Sequence, residues 1–88
     1  MIWKFESLNE MKDFANSLGE ELKKLKLLIL ANEVLEFKVN YYTTSTEYLG
    51  EFRLALNNVI LNADNQLSKE WLDNIKKGIS AINKSLKN

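Results

Sequence analysis

Glu47 and Glu51 stand one helical turn apart, with Tyr48 between them. Two carboxylates on one helix face could hold a divalent metal, and with Tyr48 they form a candidate polar site. Di-metal centres in helical bundles add a Glu-x-x-His from two further helices, and this chain contains no His. The plainer reading is a pair of surface acids favoured by the positive end of a helix. A second group is the hydroxyl run Thr43–Thr46, flanked by Tyr42 and Tyr48. Amides at a helix start can bind phosphate or sulfate. No Gly-rich loop or basic residue accompanies the run, so N-capping explains it better.

The residue types that are missing narrow the chemistry further. There is no His and no Cys, and Arg53 is the single arginine. General acid–base catalysis most often uses His. Zinc, haem and iron–sulfur sites use His or Cys, and thiol nucleophiles and disulfides need Cys. The expectation is a chain without enzymatic activity, cofactor or metal.

Large amphipathic rings are over-represented at interaction hot spots and also fill small cores. Phe5, Tyr48 and Trp71 are expected in the core, and Trp3 and Tyr42 at an interface. Lys69, Lys76, Lys77, Lys84 and Lys87 give residues 66–88 a local +3 against Glu70 and Asp73. Nucleic acid or anionic lipid could use such a face. A solvated helix end with its dipole matched is the simpler account. Lys plus Arg and Asp plus Glu both number 12, so the formal net charge is zero. That balance, with one Arg, argues against a duplex-DNA binder.

Four elements must position these groups. Ser7-Leu8-Asn9-Glu10 fits a capping box. Leu8, Met11, Phe14, Ala15, Leu18, Leu22 and Leu25 follow at three–four spacing, predicting a helix over 8–24. Leu27 to Tyr42 is ambiguous. Leu27, Leu30, Ala31, Val34, Phe37 and Tyr41 share a helical face, while Leu35, Phe37, Val39 and Tyr41 also alternate as a strand would. No Asn-Gly or Asp-Gly turn joins a partner strand, so helix is preferred. A third helix is expected over 46–62, with Tyr48, Leu49, Phe52, Ala55, Leu56, Val59 and Ile60 on one broad face. A fourth is expected over 69–86, capped by Ser68, with Trp71, Leu72, Ile75, Ile79, Ile82 and Leu86 as its stripe. Gly50 and Gly78 lie inside the last two helices, where they allow close backbone approach or room for a ring.

The expected fold is all-α, a small antiparallel four-helix bundle-like domain spanning 1–88. The alternative is α+β, with a minimal sheet from residues 2–5 and 35–42. The longest apolar run, Leu27–Ala31, is far short of the roughly 20 residues a membrane span needs, and the start of the chain does not resemble a signal peptide. A cytoplasmic protein is expected, and abundant Asn and Lys with scarce Arg suggest an AT-rich bacterial genome.

The functional expectation is a non-catalytic interaction module that binds a protein partner or itself. The second helix is apolar on more than one face and the chain has no disulfide staple, so a homodimer is expected. Trp3, Leu28, Leu35, Val39 and Tyr42 are the candidate surface. Alternatives are an immunity- or antitoxin-like inhibitor, or a nucleic-acid-associated regulator using the last helix.

Overall fold

A computed structural model of the chain describes residues 3–38 and 45–87. Four helices follow one another: α1 (Leu8–Lys24), α2 (Leu28–Leu35), α3 (Ser45–Ala63) and α4 (Lys69–Lys87), with a 3₁₀ turn at Glu36–Lys38 closing α2. The fold is all-α and bundle-like, with no strand among the described residues.

The start of α1 follows from its capping residues. Ser7 is extended at φ −144°, ψ 160°, and its hydroxyl accepts from the Glu10 amide at 3.1 Å. The Glu10 carboxylate turns back to accept from the amides of Glu6 at 2.8 Å and Lys4 at 2.7 Å. A capping box would normally return this carboxylate to the cap residue. Here it reaches further back and ties down the segment 3–6. The amides of Glu6 and then Lys4 hold the Glu10 carboxyl below its usual value, because they stabilise the ionised form.

Between those two anchors, Phe5 adopts a left-handed φ of 54°, which costs a non-glycine residue about 1–2 kcal/mol. Burial of its ring offsets that cost. Phe5 packs edge-on against Phe14, with centroids 4.9 Å apart, and lies against Gly78 of α4. A β-carbon at Gly78 would lie 3.2 Å from the Phe5 ring. Gly78 therefore makes room for a ring. Among the described residues nothing lies within 4 Å of the missing β-carbon of Gly50, so it serves no close approach of the described backbones.

The chain reverses after α1 through a Schellman turn. The amide of Leu27 donates to the Leu22 carbonyl and that of Lys26 to the Lys23 carbonyl, both at 2.9 Å. Lys26 occupies the left-handed position at φ 63°, where glycine is the usual residue. The chain then packs α2 back on α1, and Leu35 lies directly over Gly19, where a β-carbon would collide with its side chain.

The second helix ends earlier than the apolar pattern predicts. Its α-helical part stops at Leu35, and the chain tightens to 3₁₀ through Lys38. Phe37 explains the closure. Its ring is buried against Tyr48 (5.4 Å, edge-on) and Phe52 (5.0 Å), and its carbonyl accepts from the Tyr48 hydroxyl at 2.6 Å. A carbonyl satisfied by a side chain needs no further helical turn. The sheet alternative fails where it can be read: Phe5 is folded inward, and residues 35–38 are helical. Residues 39–42 lie outside the described residues.

Helices α3 and α4 are joined by a turn in which the Ala63 carbonyl accepts from Gln66 and Leu67, and Leu67 is buried. Ser68 caps α4 by accepting from the Trp71 amide at 3.3 Å. The core runs through all four helices: Phe14, Leu18 and Leu22 from α1, Ala31 and Val34 from α2, Phe52, Leu56 and Val59 from α3, Ile75 and Ile82 from α4, all fully enclosed.

Candidate interaction surface

Among the described residues, four large aliphatic side chains face solvent: Leu28 (58% exposed), Ile29 (78%), Leu54 (57%) and Leu61 (77%). All belong to α2 or α3. The outward faces of α1 and α4 carry Asn, Asp, Glu, Lys and Ser instead. The helical period accounts for this. On α2, Leu30, Ala31 and Val34 turn inward, which leaves Leu28 and Ile29 outside. On α3, Tyr48, Phe52, Leu56 and Val59 take the core, and Leu54 and Leu61, seven residues apart, share the outer side.

Two adjoining depressions that share Glu33 and Asn58 form a groove between α2 and α3. Phe37, Glu36, Glu51 and Leu54 lie at one end, and Ile29, Leu30 and Asn62 at the other. Early α2 thus faces late α3, so the two helices run antiparallel along it. The groove has buried apolar residues beneath, exposed aliphatics on its lips, and three carboxylates, Glu33, Glu36 and Glu51. Among the described side chains that line it, none is cationic. A further apolar depression, over Leu27–Leu30, is edged by Lys26.

The surface residues anticipated from the sequence are dispersed. Leu28 is exposed beside Ile29. Leu35 packs over Gly19 and is half-buried. Trp3 is half-buried, edge-on to Phe14 at 5.1 Å, and its indole N–H is enclosed with no acceptor among the described residues. Both side chains lean into the molecule because α1 offers them a surface. Val39 and Tyr42 lie outside the described residues.

The polar candidate does not assemble either. Tyr48 is 1% exposed, and its hydroxyl is engaged by the Phe37 carbonyl. Glu47 is exposed, while Glu51 lines the α2–α3 groove. No group of three or more acidic side chains among the described residues is placed to hold a metal ion. On α4, Lys77 and Lys84 share a shallow groove with Lys4, Ser80 and Ser85. Glu70 and Asp73 interrupt the lysines over the first turns of that helix.

The sequence reading overlooked Leu54 and Leu61. Both were visible as apolar residues outside the α3 stripe, on a helix whose core face was already filled.

No helix of the described residues is long and apolar enough to cross a membrane. Comparison with known protein families, with curated proteins and with solved structures finds no match to this chain.

Proposed function

We propose that this chain is a small non-catalytic cytoplasmic protein that acts by binding another protein through its α2–α3 face. One observation carries the reading: the exposed large aliphatics of the described residues all lie on α2 and α3. Exposed apolar side chains beside a groove, as Ile29 and Leu54 are, with polar groups among them, mark protein contact surfaces. An immunity- or antitoxin-like inhibitor is one instance of this class. Site-specific photo-crosslinking in the native cell tests it. A crosslinker at Ile29 or Leu54 should give discrete adducts with a protein, and one at Ser80 on α4 should not. No adduct from either α2–α3 position, or the same adducts from Ser80, refutes the reading.

Self-association is a second reading, favoured by the exposure of Leu28 beside Ile29. Sedimentation at micromolar concentration would then show a dimer, and Leu28→Glu would dissociate it while leaving the helical signal intact. A single species near the 10.2 kDa chain mass would refute it.

A further inference from the structure

We infer that the α2–α3 groove receives a cationic amphipathic helix of a partner protein, an inference that rests on the interaction reading above. Shape comes first. The groove runs beside α2 from Ile29 to Phe37 and beside α3 from Asn62 back to Glu51. At 1.5 Å per residue these stretches span about 12–17 Å, or two to three helical turns. A third helix laid along two antiparallel ones can place apolar anchors at i, i+3 or i+4, and i+7. From α3, Leu54 and Ala55 line the groove at one end, and Ile29 and Leu30 of α2 supply its apolar lining at the other.

Charge selects among possible helices. Glu33 sits mid-groove, Glu36 and Glu51 at one end, and no Lys or Arg among the described side chains lines it. An apolar helix with acidic flanks would meet like charge in a partly desolvated cleft, which costs affinity. A helix with Lys or Arg beside its apolar stripe would pair with those carboxylates as it covers Ile29 and Leu54.

A second copy of the chain is the poorer occupant. Twofold pairing of this face brings together two surfaces that each carry Glu33, Glu36 and Glu51, with no compensating Lys or Arg among the described side chains lining either. The lysine-bearing side of α4 matches in charge, but it has no exposed large aliphatic side chain to fill the groove.

Two synthetic amphipathic peptides of about four turns provide the test. They share one leucine stripe, with Lys at the polar positions of one and Glu at those of the other. Each is titrated into the ¹⁵N-labelled full chain at low and moderate salt. The Lys peptide should bind and shift amides around Ile29, Glu33, Leu54 and Asn58, and the Glu peptide should bind at least about tenfold more weakly. Combining Glu33→Gln, Glu36→Gln and Glu51→Gln should weaken the Lys peptide by about tenfold or more and flatten its salt dependence. Leu54→Ser should weaken it at both salt concentrations. These positions are at the surface, and an unchanged melting curve shows that the variants fold.

Equal binding of the two peptides, shifts centred on α1 or α4, or no binding of the Lys peptide overturns the inference. So does a dimer that Leu54→Ser dissociates, because the groove then belongs to a second copy. Crosslinks from Ile29 or Leu54 with no Lys-peptide binding would leave the interaction reading standing and remove only the cationic helix.

Discussion

Three helix-interior glycines separate backbone propensity from packing. Gly19, Gly50 and Gly78 all have helical surroundings and none has a positive φ. Replacing any of them with Ala therefore brings the same intrinsic gain, about 1 kcal/mol. What differs is the space for the new methyl group. At Gly50 it meets nothing within 4 Å among the described residues, so Gly50→Ala should stabilise by about 0.5–1 kcal/mol. At Gly78 it would sit 3.2 Å from the Phe5 ring. A shift of a few tenths of an ångström there consumes most of the gain, leaving a near-neutral change. At Gly19 it collides with Leu35 near the base of that side chain. Leu35 must leave its place on α1, an overpacking cost of about 1–3 kcal/mol. The propensity gain offsets part of this, so Gly19→Ala should destabilise by up to about 2 kcal/mol. Because propensity cancels, the contrast between Gly50→Ala and Gly19→Ala measures the α1–α2 contact alone, about 1–3 kcal/mol. Thermal unfolding followed by circular dichroism suits a domain of this size, where 1 kcal/mol moves Tm by about 4–8 °C, and urea titration supplies the free energies. If Gly19→Ala stabilises as much as Gly50→Ala, Leu35 does not rest on Gly19 and the described packing of α2 is wrong.

Leu56 and Ile75 are both fully enclosed, so Leu56→Ala or Ile75→Ala should each cost about 2–5 kcal/mol in urea unfolding; a loss below about 1 kcal/mol would contradict their burial. Lys26→Gly relieves a left-handed lysine inside a Schellman turn and should raise stability by about 0.5–1 kcal/mol, seen as a higher Tm. Tyr48→Phe leaves the buried Phe37 carbonyl without its 2.6 Å donor and should cost about 1–3 kcal/mol; no loss would mean the 3₁₀ closure of α2 does not depend on that bond. The amides of Glu6 and Lys4 hold the Glu10 carboxyl below its ordinary value of 4.5, so its contribution is present above that value and is lost as pH falls through the lower folded pKa. Unfolding free energy should therefore decline on acidification below pH 4.5, and Glu10→Gln should flatten that decline.

Three of the four helices were legible as periodicity. The Ser7–Glu10 cap and the stripe through Leu22 mark α1, and the stripes on α3 and α4 place both to within a residue at each end. Local physics suffices there, because caps and a three–four repeat act within a few residues. The segment from Leu27 to Tyr42 was not legible in this way. Over so short an apolar run, periods of 2 and 3.6 select overlapping residues. The end of the α-helical part at Leu35, and the 3₁₀ turn after it, instead answer to Tyr48 and Phe52, which lie more than ten residues further along the chain.

The candidate surface shows the same division. That apolar residues exceed what the core faces need could be read from Leu28, Ile29, Leu54 and Leu61. For the short α2 segment and the chain start, which would end up outside could not. Trp3 and Leu35 have equal apolar character, yet they turn inward because Phe14 and Gly19 of α1 offer them a place. The groove itself exists only because antiparallel packing brings Glu33 and Glu36 of the α2 segment beside Glu51 and Leu54 of α3. Sequence thus determined which residues are helical and that apolar surface is in excess. Tertiary packing decided where that excess lies, because a side chain's exposure depends on neighbours distant in the chain.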